Sequence, residues 1–242
     1  MKIVAKTDVG MVRESNQDSY TTGELPNGVA WAVVCDGMGG AAGGNVASST
    51  AVKVIAEQIT SSFRPGMSAN SIKNMMVSAI NAANISVYDI SCSNSELYGM
   101  GTTVVCAIVM EHIAYIAHAG DSRAYIVSHG ALTQLTRDHS VVQELVEHGK
   151  ITALEAKMHP NKNIITRAVG VSREILVDFC EQEMKDGDVL LLCTDGLTNF
   201  VESDEMCDLT KDDMFYEFAE RLVDRANKNG GGDNVTVVAV TY

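Results

Sequence analysis

Four aspartates stand where they could share one piece of chemistry. Asp36 follows Ala-Val-Val-Cys, Asp121 follows Ile-Ala-His-Ala-Gly, Asp195 follows Leu-Leu-Leu-Cys-Thr, and Asp233 comes after three glycines and just before a closing apolar run. Each lies at the end of a strand-like stretch beside at least one glycine, which lets other groups approach the backbone closely. Taken singly, each reads as a turn, because Asp-Gly is a common turn dipeptide. Lys185-Asp186-Gly187-Asp188 supplies the contrast: polar residues precede it and a strand only follows, so it reads as a plain hairpin turn.

Short carboxylates converging from separate strands repel one another unless cations sit between them. Convergence of Asp36, Asp121, Asp195 and Asp233 therefore implies metal. Ligation by carboxylate and carbonyl oxygen suits Mg²⁺ or Mn²⁺, and no His or Cys cluster has zinc spacing. Two such ions about 3.5 to 4 Å apart can activate a shared water and clamp a phosphoryl group for in-line displacement, which is phosphoester hydrolysis without a covalent enzyme intermediate. Arg13, in the polar run Arg13-Glu14-Ser15-Asn16-Gln17-Asp18, fits this scheme, since a guanidinium holds two phosphate oxygens in one planar fork. Asp18 reads by default as a turn or cap residue. His118, His139, His148 and His159 have surface or structural readings at least as good as catalytic ones.

The chain must bury a core large enough to aim these groups. Its 242 residues, 46% of them hydrophobic, suffice for one domain spanning 1–242. A formal net charge of -13, from 31 acidic and 18 basic residues, would repel nucleic acid and anionic lipid. The six cysteines form no Cys-x-x-Cys pair, and three lie in apolar runs as buried thiols do, which suits a reducing cytoplasm. The N-terminus lacks a signal peptide's apolar region, and no apolar stretch reaches the ~20 residues of a membrane span. A cytoplasmic monomer with neither nucleic acid nor membrane as partner is expected.

In chain order, the pattern predicts a strand over Lys2 to Lys6, a polar loop from Thr7 to Tyr20, and a strand from Trp31 that delivers Asp36. Two amphipathic helices follow, one ending before Arg64-Pro65-Gly66 and one with an apolar face from Ile72 to Ile90. Thr102 to Met110, Ile113 to His118 and Arg123 to Val127 read as an antiparallel meander. Ser140 to Ile165 breaks the strand pattern with two short helices, the second opened by the capping box Thr152-x-x-Glu155, and reads as an insertion over a sheet edge. Strands resume at Ile175 to Cys180 and at Val189 to Cys193, the latter buried on both faces. A helix marked by Phe215, Phe218, Ala219, Leu222, Val223 and Ala226 precedes a closing strand from Asn234 to Tyr242. Strands and helices occur in blocks, which favours an α+β fold of two packed sheets with helices outside.

Arg13-x-x-Asn16-Gln17-Asp18, Asp36-Gly37-Met38-Gly39-Gly40, Gly101-Thr102-Thr103, Ala119-Gly120-Asp121-Ser122-Arg123, Thr166-Arg167-Ala168-x-Gly170, Thr194-Asp195-Gly196 and Asp233-Asn234-Val235-Thr236 together resemble the ordered motifs of the PPM/PP2C metal-dependent serine/threonine phosphatases. The compact length resembles the bacterial branch, often encoded beside a receptor-type serine/threonine kinase. The resemblance implies a central sandwich of two antiparallel sheets flanked by helix pairs, a metal cleft at one end, and a variable flap over 140–165. It implies two to three Mn²⁺ or Mg²⁺ ions: Asp36 bridging two of them, the Gly37 carbonyl on one, Asp195 and Asp233 on the other, and Asp121 with Asp195 at a third. Arg13 would contact the substrate phosphate, and Asp18 would support the metal shell directly or through water. Phosphorylated proteins are the implied substrates and a cognate Ser/Thr kinase the implied counterpart. Two departures stand out. Met38 occupies the place where many eukaryotic members have a histidine proposed as general acid, and Gln17 stands where some members have Glu. The alternative is a regulatory module that keeps the fold without catalysis; such modules usually lose metal carboxylates, and here all four are present.

Overall fold

The computed structural model describes residues 1–209 and 215–242. From the N-terminus come β1 (Lys2–Asp8), β2 (Asp18–Leu25) and β3 (Val29–Met38), then α1 (Gly40–Ser62) and α2 (Ala69–Ser93). Next are β4 (Gly101–Thr102), β5 (Val104–Met110), β6 (Ile113–Ala119), β7 (Arg123–Ser128) and β8 (Ala131–Gln134). The short helices α3 (Val141–Glu147) and α4 (Ala153–Met158) precede β9 (Asp178–Glu183) and β10 (Val189–Cys193). The chain closes with α5 (Asp195–Thr198), α6 (Ser203–Leu209), α7 (Phe218–Lys228) and β11 (Val235–Thr241).

Two antiparallel sheets result, ordered β1-β11-β10-β7-β8 and β2-β3-β5-β6-β9, with β4 paired to β3. The alternation of side chains along each strand then makes three apolar layers. On β3, Trp31, Val33 and Cys35 pack under α1 and α2, whereas Ala30, Ala32 and Val34 face the other sheet. On β10, Leu190 and Leu192 join that middle layer, whereas Leu191 and Cys193 pack against α7. The strand expected to be buried on both faces is so, and the α+β sandwich flanked by helices is the observed architecture. None of the six cysteines is in a disulfide, and no helix among the described residues is long and apolar enough to cross a membrane.

Four expectations need correction. The meander breaks at Gly120-Asp121-Ser122: β5 pairs with β6, but β7 leaves for the other sheet and pairs with β10 and β8. Likewise, Lys185 to Asp188 is a β-turn, closed by Asp188 N–H on the Lys185 carbonyl at 3.0 Å, yet it joins strands of different sheets and makes no hairpin. Local sequence signals a reversal without saying which sheet receives the next strand. The loop from Thr7 to Tyr20 is shorter than expected, because β1 runs to Asp8 and β2 starts at Asp18; β2 is an edge strand, half-buried, so its apolar alternation is weak. Finally, the strand expected over Ile175 to Cys180 runs from Asp178 to Glu183.

The segment 140–165 leaves and returns through a narrow neck. Ser140 bridges Ile165, and Val141 N–H donates to the Ile164 carbonyl at 2.9 Å. Both expected helices are present, with the Thr152–Glu155 capping box formed.

Candidate active site

The middle apolar layer turns polar at one end of the sandwich. Two residues beyond Val34, Ile116 and Leu192 stand Asp36, His118 and Thr194; two before Val105, Ala124, Val238 and Tyr20 stand Thr103, Ser122, Thr236 and Asp18. The strand registers bring these positions to a common end, with Asp18 opposite Asp36 and Cys193 opposite both Val237 and Arg123. Burial of Thr103, Ser122, Thr194 and Thr236, all 3% exposed or less, confirms that the inward rows continue there. Three of the four aspartates enter from links at this same end: Asp121 from the β6–β7 crossing, Asp195 at the start of α5, and Asp233 just before β11.

Together they line a cleft of about 860 Å³ with Arg13, Gly37, Met38 and Asn234 among its walls; Asn163 and Ile165, from the far end of the 140–165 segment, line it too. Gly37 is required by close approach, because a Cβ there would lie 2.0 Å from the Gly44 carbonyl oxygen. Asp18 lies outside the lining. Its Oδ2 accepts hydrogen bonds from the hydroxyls of Thr194 (2.9 Å), one residue past β10, and Thr236 (2.7 Å), on β11 of the opposite sheet. Its Oδ1 is buried with no partner, as is Oδ1 of Asp195, whose Oδ2 accepts from Asn199 at 3.0 Å.

The electrostatics record the crowding. Burial, followed by repulsion from Asp18, Asp195, Asp121 and Asp233, holds the Asp36 carboxyl well above the ordinary carboxylate range. Asp18 is pushed up to about 7 by burial against the two threonine bonds, with repulsion from Asp195 and Asp233 added. Asp121 is also pushed up to about 7, by burial and then by Asp195 and Asp138. For Asp195, burial and then repulsion from Asp233 hold the pKa above the ordinary carboxylate value, against the lowering effect of the Asn199 amide on Oδ2. A buried acceptor left without a donor costs about 1 to 3 kcal/mol, and more for a charged group. Such a cost persists at a site that gains something else from it, and two unpartnered carboxylate oxygens within a cluster of acids fit hard divalent cations.

The remaining expected residue, Arg13, sits on the rim with its NH2 donating to Asp233 Oδ2 at 2.8 Å. Asn234 holds that rim in place: its amide donates to the carbonyls of Val9 and Ser15, and its Oδ1 accepts from Gln17 N–H at 2.8 Å. Gln17 in turn donates through Nε2 to the Gly40 carbonyl, a structural contact at the position where a carboxylate was the family alternative. Asp36 is fixed through its backbone, N–H to Thr103 Oγ1 (2.9 Å) and carbonyl from Thr102 Oγ1 (2.8 Å).

All seven sequence-derived positions thus reach one end of the fold, with Asp18 behind the cleft rather than in it. Sequence reasoning left Thr103, Ser122, Thr194, Thr236 and Asn234 without roles. The available signal for the four hydroxyls was periodicity, since each extends an apolar inward row by one polar step. His148 and His159 make only local hydrogen bonds within the 140–165 segment.

The sequence profile described as protein phosphatase 2C matches residues 12–236. The serine/threonine phosphatase Stp of Listeria monocytogenes serotype 4b is 38% identical over 236 residues, covering 97% of this chain and 93% of that protein. A solved Streptococcus agalactiae serine/threonine phosphatase superposes with a TM-score of 0.93 at 32% identity, covering 100% of this chain and 99% of the other. The catalytic domain of the serine threonine protein phosphatase PstP, solved with two manganese ions, superposes at 0.85 with 33% identity over 98% of this chain and 96% of its own. Sequence, fold and the acid-lined end of the sandwich lead to one assignment: the chain belongs to the protein phosphatase 2C family.

Proposed function

We propose that the protein hydrolyses phosphoserine and phosphothreonine in other proteins, using two to three Mn²⁺ or Mg²⁺ ions held at the acid-lined end of the sandwich. The observation that carries this reading is the pair of buried, unpartnered oxygens, Asp18 Oδ1 and Asp195 Oδ1, inside a group of five mutually repelling aspartates. Asp36 would stand between two ions with the Gly37 carbonyl on one, Asp195 and Asp233 on the second, and Asp121 with Asp195 at a third. Asp18, anchored by Thr194 and Thr236, would back the shell from behind. Divalent ions bound there supply an acidified water and offset charge on the phosphoryl oxygens.

The chain's own groups do the rest. Arg13 presents its guanidinium at the mouth, and the bond it makes to Asp233 holds it there until a phosphate dianion, a stronger bidentate partner, takes its place. Asn234 keeps the Arg13 loop against the start of β11, so the half-exposed fork stays at the rim of the cleft. Met38 lines the cleft and carries no transferable proton, so the leaving seryl or threonyl oxygen takes its proton from water or another group.

The relatives' names as serine/threonine phosphatases support the substrate class. A cognate Ser/Thr kinase as counterpart, a reducing cytoplasm and a monomeric state complete the proposal. Hydrolysis of a phosphothreonine peptide tests it: EDTA should abolish turnover and Mn²⁺ restore it, whereas turnover that survives exhaustive chelation overturns the metal centre. A non-catalytic module would leave para-nitrophenyl phosphate intact with Mn²⁺ present.

A further inference from the structure

Outside the cleft, one cluster of titratable side chains is built as closely as the site itself. His118, His139 and Asp178 bring potential ligand atoms within 4.8 Å of one another. Proximity alone would suit a transition metal, but the hydrogen bonds already use these atoms. Gly120 N–H, which can only donate, points at His139 Nδ1 at 3.1 Å, so that nitrogen is bare and accepts. The neutral ring then carries its proton on Nε2, which donates to Asp178 Oδ2 at 3.1 Å. His118 Nε2 faces the Arg137 carbonyl at 2.9 Å and must donate to it. The two rings are stacked with planes only 6° apart, so their in-plane lone pairs run side by side and do not converge on one ion.

What the bonds build is a brace. His139 is 1% exposed, and its own N–H donates to the Gly120 carbonyl at 3.0 Å while its ring accepts from Gly120 N–H, so both polar groups of that peptide residue end on one side chain and its backbone. Gly120 cannot be replaced by a bulkier anchor: its φ is +115°, and a Cβ would lie 2.7 Å from Thr103. The next residue is Asp121. Asp178 is fixed in turn by Arg167 NH1 at 2.7 Å, and these bonds from His139 and Arg167 outweigh burial and keep its carboxyl below the ordinary range. The preceding residue, Asp138, grips Arg123 through Nε and NH2, at 2.6 Å for the shortest bond. The dipeptide Asp138-His139 therefore holds the turn carrying Asp121 from both ends.

We propose that His139, oriented by Asp178 and Arg167, is a positioning residue that sets the place of Asp121 for its cation. This rests on the reading of Asp121 as a ligand, and the test separates the two. Mn²⁺ binding by calorimetry, Mn²⁺ dependence of phosphopeptide hydrolysis and thermal stability would be measured for the full chain and for His139→Ala, His139→Asn and His139→Gln. Asparagine places Oδ1 where Nδ1 accepts from Gly120; glutamine reaches toward Asp178 and leaves Gly120 unanswered. The alanine and glutamine variants should weaken one Mn²⁺ step and raise the Mn²⁺ needed for half-maximal activity about tenfold, with the other steps within about twofold, and asparagine should recover to within about threefold. Equal losses in all three variants, tracking only their melting temperatures, would make His139 merely structural and overturn the proposal. So would unchanged Mn²⁺ binding in all three. A wild-type protein that binds no Mn²⁺ and hydrolyses nothing would instead overturn the underlying metal reading.

Discussion

Strand β10 carries an Asp-Gly dipeptide near each end, and the two ends behave oppositely. Before it, Gly187 (φ +87°) has nothing within 4 Å of where a Cβ would be, so glycine serves a turn. Asp186 stands in solvent with its side chain 90% exposed, and buried Asp188 is satisfied locally by Lys185 N–H at 2.9 Å. After it, a Cβ on Gly196 would lie 1.8 Å from the Asn234 carbonyl oxygen, so glycine there permits two backbones to touch. Asp195 has a buried oxygen without a donor and a carboxyl crowded by Asp233. The difference teaches that an aspartate satisfied by its own turn is structural. One that the fold strips of donors and faces with other acids is prepared for something outside the chain.

The comparison breaks most directly by exchanging charge at each end. Asp195→Asn should lower Mn²⁺-dependent phosphatase turnover on the order of 10³-fold, because a cation ligand contributes several kcal/mol to the transition state, while Asp186→Asn should leave it unchanged. Steady-state rates on a phosphothreonine peptide decide this, and equal effects would erase the distinction. Glycine substitutions sharpen it next. Gly196→Ala, which forces β11 and α5 apart, should cost about 3 kcal/mol, and Gly187→Ala about 1 kcal/mol for its left-handed backbone alone. Denaturant melts of the two variants give the ordering.

Acidity offers a third test. Asp18 is raised to about 7 from 3.8, so in the metal-free protein its favourable contribution is complete below about pH 4 and is lost as pH rises through 7. Between pH 8 and 6 the group gives about 1.4 kcal/mol on acidification, and Asp121 acts in the same direction. His118 and His139, lowered chiefly by burial, oppose this below about pH 6.5. The metal-free melting temperature should therefore rise by a few degrees from pH 8 to 6.5, and saturating Mn²⁺ should remove that slope. Smallest of all, Met38→Leu should change turnover by less than about threefold, because a side chain without a proton to give is replaced by another; a larger change in the kcat–pH profile would assign Met38 a role the cleft geometry does not.

Much of the site was legible because its motifs are local. An apolar strand, an aspartate and a glycine stand next to one another in the chain, so Asp36, Asp121, Asp195 and Asp233 could be picked out before any fold was known. Local pattern placed neither Arg13 nor Asp18, since a polar loop and an edge strand lack alternation; Arg13 was picked out by what a guanidinium does for phosphate and Asp18 through the family resemblance, and the structure puts Asp18 on β2 opposite Asp36. The meander and the hairpin at Lys185 to Asp188 failed for one reason. A turn fixes the direction of the next strand, whereas the sheet it joins depends on which apolar row it buries against which partner.

By itself, the sequence determined the alternating rows, the two amphipathic helices and the acids at strand ends, because these follow from periods of two and of 3.6 residues. Only the tertiary structure decided that the chain changes sheets at Asp121, that the inward rows all turn polar at one end, and that His139 braces Gly120. Those facts depend on contacts between residues far apart in the chain, such as Thr236 on Asp18, whose spacing no local period encodes.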